Sequence, residues 1–166
     1  MAESNTPLQV LFLCTGNSCR SVIAEALANH LGEGRLRAAS AGSQPTGTVN
    51  PHALAILEKH GVPVEEPRSQ SWDEFADTRF DLVITVCDNA AGESCPVWLA
   101  DTLKAHWGVP DPAVVAGDAQ TIEQAFELTY QQMKARIERL LQLPLDQLPQ
   151  QELAGQLAKI QSAADV

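Results

Sequence analysis

Residues 11–21 read LFLCTGNSCRS, and this stretch decides the fold. An apolar run stops at Cys14, five small or polar residues follow, and Arg20 and Ser21 close the segment. Upstream, residues 8–13 (LQVLFL) make a short continuous apolar run, the pattern of a strand covered on both faces. Downstream, residues 21–32 (SVIAEALANHLG) place Val22, Ala26 and Leu27 at helical spacing before Gly32. The spacing predicts a strand, a tight loop and a helix in immediate succession.

Further along, residues 35–42 and 80–87 read as strands, with a shorter one over 103–108. Residues 50–61 form a well-bounded helix, with Asn50 as N-cap, Pro51 at the first position and Gly61 at the end. Residues 69–76 suggest a short helix. From Asp118 a long helix runs with Ile122, Phe126, Thr129, Met133, Ile137 and Leu141 on one face. Beyond Pro144 a last amphipathic helix is carried by Leu153, Leu157 and Ile160. The expected organisation is one domain over 1–145 with a helical extension, 146–166, packed on or trailing from it.

Strands alternating with helices imply an α/β fold with a parallel sheet. Four strands fit a three-layer arrangement in the order 2-1-3-4, flanked by helices. The switch point then lies between strands 1 and 3, where ligands bind outside the carboxyl ends of the strands. Cys14 ends strand 1, Cys87 ends strand 3, and Asp111 lies in the VPDPA loop after strand 4. Three chemically capable residues converge on one rim.

Composition narrows the function. The chain has 166 residues and a net charge of −10, with 45% hydrophobic and 19% charged residues and no Lys/Arg block. That excludes a nucleic-acid or anionic-membrane partner, and a small anion would need a local pocket acting against the global field. The start, MAESNTPLQVLFLC, lacks the basic n-region of a signal peptide, and no run approaches the roughly 18 apolar residues of a membrane span. The expected compartment is cytoplasmic, where thiols stay reduced. Four cysteines there do not read as a disulfide framework. No metal site is expected either, since there is no C-x2-C pair and His30, His52, His60 and His106 are scattered. Buried bystanders or thiol chemistry remain.

A strand-to-helix loop aims several unpaired backbone N–H groups into one concavity, and the helix dipole adds positive charge. Thr15, Gly16, Asn17, Ser18, Cys19 and Ser21 are the expected anion-binding set. Gly16 and Asn17 tolerate left-handed backbone angles, and Cys19 turns a small side chain inward. Arg20 can clamp two oxygens of a tetrahedral oxyanion in a fork. The same field favours thiolate, lowering cysteines from about 8.5 to roughly 3.5–7.5. Cys14 is the expected nucleophile.

CTGNSCRS resembles the C-x5-R-S phosphate loop of the low-molecular-weight tyrosine phosphatase fold. The wider pattern is similar to the arsenate reductases built on that fold, through VLFLCTGNSCRSVIAEA, SAGSQPTGTVNPHAL, FDLVITVCDNAAGESCPVW and HWGVPDPA. Only about the last twenty residues lie outside it. The resemblance implies that Cys14 attacks arsenic, Cys87 attacks the Cys14 sulfur as arsenite departs, and Cys95 carries the disulfide outward. It makes Asp111 the general acid and lets Ser21 donate to the Cys14 thiolate. It also implies arsenate as substrate, phosphate or sulfate as competing anions, and thioredoxin or glutaredoxin with glutathione as electron donor, with no cofactor.

Two features depart from the family. Where the phosphatases place an aromatic residue after Asp-Pro, this chain has Ala113, which disfavours the runner-up, a phosphatase for phosphotyrosine or small phosphates. A third reading, a loop that only binds an anion, is opposed by Arg20 and Asp111 together. Some reductases bind potassium through an Asn, a Glu and an Asp; Asn17 and Glu25 match, but PRSQSW (67–72) has no acidic residue for the third place.

Overall fold

The apolar run Leu8–Leu13 forms β1, an interior strand of one parallel sheet whose other members are β2 (Leu36–Ala41), β3 (Leu82–Thr85) and β4 (Leu103–His106). The spatial order is β2-β1-β3-β4, as the alternation of elements predicts. The structure is a computed structural model that describes residues 8–14, 16–17, 19–32, 34–64, 69–75, 77–78, 80–86, 102–108, 112, 115–143 and 150–163. Its helices are α1 (Arg20–Gly32), α2 (Pro51–Lys59), α3 (Ala119–Leu141) and α4 (Gln150–Ala163).

The pairing register aligns the carboxyl ends. Ala41, Leu13, Thr85 and His106 form the last row across the sheet. The next N–H groups continue it: Cys14 N donates to Ala41 O (3.2 Å), Val86 N to Leu13 O (2.9 Å) and Trp107 N to Thr85 O (2.7 Å). The chain segments that lead to the candidate residues therefore leave the sheet along one edge.

Apolar side chains cover the two faces unequally. Val10, Phe12, Leu82 and Ile84 face a large core with Ile23 and Leu27 of α1, Leu57 of α2 and Phe126, Met133 and Ile137 of α3. Leu153, Leu157 and Ile160 of α4 join the same core, on the face the sequence predicts. The other face holds Leu11, Leu13, Phe80 and Val83 under Trp72 and Phe75. Here the short helix expected over 69–76 is a single 3-10 turn, Trp72–Phe75.

Local chemistry sets the boundaries. The Asn50 side chain accepts from His52 N (2.8 Å) and caps α2 behind Pro51; Gly61, at φ 72°, follows its end. On the edge strand β2, Asn29 spends its amide on both polar groups of Ala38, at 2.8 and 3.1 Å, which blunts that edge. Strand β3, Leu82–Thr85, lies within the expected 80–87, whose last residue is outside the described residues, and Asp81 ties its start to β1. Its carboxylate accepts from Gln9 N (2.9 Å), and its N–H donates to Gln9 O (2.8 Å). Strand β4 stops at His106, and Trp107 is fully buried, its indole N–H donating to Leu157 O of α4 (3.3 Å). Among the described residues no helix is long and apolar enough to cross a membrane.

Candidate active site

Cys14 stands just past β1 and Arg20 opens α1, so the loop between them joins the sheet edge to a helix N-terminus. Cys14 is 5% exposed. The first turn of α1 carries no acidic residue, which leaves its positive end available to an anion. Cys19 is buried, and its carbonyl accepts the first helical bond, from Ile23 N (2.8 Å). Its side chain faces the core as expected.

The loop is braced from two other segments. Asn17 adopts φ 46°, in the left-handed region, and is fully buried. Its Nδ2 donates to Ser21 Oγ (2.8 Å) and Ser40 Oγ (3.0 Å), and its Oδ1 accepts from Gln70 N (2.7 Å). Gly16 O accepts from Thr46 N (3.0 Å) and Ser69 Oγ (3.0 Å). With its side chain committed inward, Asn17 has only backbone to offer an anion.

The bracing ends on a carboxyl. Ser40 Oγ donates to Glu25 Oε1 (2.5 Å), and Gln70 Nε2 donates to Ser40 O (3.0 Å). Burial raises the pKa of Glu25, and the Ser40 hydrogen bond offsets this only in part. These contacts also test the donor set for potassium. Asn17 Oδ1 and Glu25 Oε1 already accept from protein donors, and Gln70 supplies an amide where a third carboxylate would be needed. The set therefore lacks the third acidic ligand that the potassium-binding reductases use. Among the described residues, no three His, Cys, Asp or Glu side chains cluster to hold a metal.

Thr15, Ser18, Cys87, Cys95 and Asp111 lie outside the described residues. Their described neighbours stand at one end of the sheet: Val86, fully buried, precedes Cys87, and Trp107 and Gly108 precede Asp111. Ser40, Ser69 and Gln70 escaped the sequence reading. Their partners in the loop, Gly16 and Asn17, lie 23 to 53 residues away, and no local pattern marks them.

Comparison with known proteins agrees with this geometry. Residues 9–154 match the family model described as low molecular weight phosphotyrosine protein phosphatase. The chain is 37% identical to an arsenate reductase of Bacillus licheniformis over 131 residues, 78% of this chain and 92% of that one. It is 32% identical to a glutaredoxin arsenate reductase of Synechocystis sp. over 133 residues, 80% of this chain and 95% of that one. A solved structure described as an arsenate reductase in the phosphate binding state superposes with a TM-score of 0.69 at 29% identity, covering 81% of this chain and 97% of the other. With the match running from β1 into α4, over residues 9–154, the chain belongs to the low-molecular-weight phosphotyrosine protein phosphatase family.

Proposed function

We propose that this protein reduces arsenate to arsenite for arsenic detoxification, with Cys14 as nucleophile and an internal thiol relay. The observation that carries the reading is the braced loop between Cys14 and the N-terminus of α1, whose first turn holds no acidic residue, in a chain whose relatives are named arsenate reductases. Backbone N–H groups of residues 15–19 and the Arg20 fork bind the oxyanion. Ser21, whose oxygen accepts from Asn17, keeps its hydroxyl hydrogen for the Cys14 sulfur.

The chemistry balances on three thiols. The Cys14 thiolate attacks arsenic, and the departing oxygen leaves as water after Asp111 supplies a proton. The Cys87 thiolate then attacks the Cys14 sulfur. The sulfur–arsenic bonding pair passes to arsenic, arsenite leaves, and a Cys14–Cys87 disulfide remains. Cys95 attacks Cys87, frees the Cys14 thiolate and leaves a Cys87–Cys95 disulfide. A dithiol donor of the thioredoxin or glutaredoxin kind restores the reduced enzyme in the reducing cytoplasm.

Single-turnover mass spectrometry tests the relay. Wild-type protein given arsenate should end with a Cys87–Cys95 link. Cys95→Ser should release arsenite once and stop at a Cys14–Cys87 link. Cys87→Ser should lose arsenate reduction yet hydrolyse a small aryl phosphate slowly, since hydrolysis needs only Cys14, Arg20 and Asp111. Multiple-turnover reduction by Cys87→Ser would overturn the relay and return the phosphatase reading to the front.

A further inference from the structure

Arg136 belongs to α3, and no part of the reaction above uses it. It is 1% exposed, among the largest fully buried side chains of the molecule. A guanidinium is costly to take out of water, so the bonds it makes in a core are the ones that hold it there. Its Nη1 donates to Trp107 O and to Gly108 O, both at 3.2 Å. Those carbonyls belong to the first two residues after β4, on the path to Asp111.

The same stretch is tied at two further points. Trp107 donates its N–H to Thr85 O (2.7 Å) and its indole N–H to Leu157 O (3.3 Å). On the far side of Asp111, Pro112 is buried and its carbonyl accepts from Val115 N (3.2 Å). Only residues 109–111 separate Gly108 from Pro112, and prolines at 110 and 112 restrict the backbone between them. Three residues on, position 111 can lie no more than about 11 Å along the chain from Gly108, so the placement of Gly108 bounds where its carboxyl can reach. An apolar side chain at 136 would fill the core without the desolvation cost, but it would release both carbonyls.

We propose that Arg136 is a positioning residue for the reaction, holding the Trp107–Gly108 carbonyls so that the Asp111 carboxyl meets the oxygen leaving arsenic. The inference rests on the general-acid reading of Asp111. It acts through that one side chain, so its signature is coupling rather than a loss of stability alone.

The test is a double-mutant cycle on pre-reduced full-length protein. The rate of arsenite formation is followed in a single turnover at saturating arsenate, and phosphate affinity is measured by calorimetry. Asp111→Asn should slow the reaction about a hundredfold, the lower end for a positioned general acid. Arg136→Met should slow it at least about tenfold. The double variant should be no slower than Asp111→Asn within about twofold, because coupled sites are non-additive. Arg136→Lys should recover part of the loss, and phosphate affinity should stay near that of the parent. Losses that multiply in the double variant would refute the inference, as would a parental rate in Arg136→Met or a collapse of phosphate binding. If Arg136→Met does not fold, Arg136→Lys, which keeps the charge on a differently placed nitrogen, is paired with Asp111→Asn and judged by the same criterion. A parental rate in Asp111→Asn overturns the acid assignment and this inference together. A slow Asp111→Asn beside a parental Arg136→Met overturns this inference alone.

Discussion

Asn17 shows how much of the proposed anion loop is held by a side chain that turns inward. Left-handed backbone suits Asn better than most residues, and here the amide also joins Ser21, Ser40 and Gln70. Asn17→Ala strains the backbone and strips partners from buried groups, at about 1–3 kcal/mol for each group left unsatisfied. Asn17→Gly relieves the strain but still loses the bonds. Both variants should melt lower than wild type and bind phosphate at least about tenfold more weakly, about 1.4 kcal/mol in binding. Calorimetry beside thermal melts checks this; parental phosphate affinity in a destabilised Asn17→Gly would show that the brace does not shape the cradle. At this scale Cys14 and Arg20 were legible from their spacing, and Ser40 and Gln70 were not. A hydrogen bond across 23 or 53 residues leaves no trace in local sequence.

Among the elements, the contact between α2 and α3 is charged. Glu127 accepts from His60 Nε2 (2.8 Å) and Gln131 Nε2 (2.8 Å), with Lys59 at 3.5 Å, and His60 stacks on Tyr130 at 3.9 Å between ring centres. Burial pushes the Glu127 carboxyl upward, but the hydrogen bonds from Gln131 and His60 and the charge of Lys59 outweigh it, so its pKa is lowered. A carboxyl depressed on folding contributes stability above its ordinary pKa and loses it as pH falls through the folded value. Glu127→Gln should therefore lower the melting temperature at pH 7, by a contribution of at most about 1 kcal/mol at so exposed a site. The gap from wild type should close as pH drops below the ordinary carboxylate range. Melts from pH 7 to pH 3 decide it, and a gap that widens toward acid would contradict the assignment. The α3 periodicity was readable in Phe126, Thr129, Met133 and Ile137, but Arg136 shares that buried phase. A charge at a core position was the available signal, and its purpose appears only where α3 meets the end of β4.

For the whole molecule, α4 is part of the core. Leu157 is fully buried, and its carbonyl holds the Trp107 indole. Leu157→Ala should cost about 2–5 kcal/mol, the range for buried leucines. Because Trp107 adjoins Gly108, the substitution should also slow single-turnover arsenite formation more than it weakens phosphate binding. Denaturant titration gives the first quantity and rapid-quench kinetics the second. An unchanged rate in the folded variant would confine α4 to stability.

The sequence by itself determined the element order, the parallel sheet and its switch point, because hydrophobic periodicity and helix punctuation are local properties of the chain. It also set Cys14 and Arg20, the proposed nucleophile and clamp, at the two ends of one strand-loop-helix junction, since such a junction is built from consecutive residues. Tertiary structure alone decided what holds the cradle and the end of β4. Asn17 meets Ser40 and Gln70, and Arg136 meets Trp107 and Gly108, only after β1, β2 and β4 are in register and α3 lies against them. The physical reason is that a buried polar group must find its partner in space, and the partner's distance along the chain does not enter its energy.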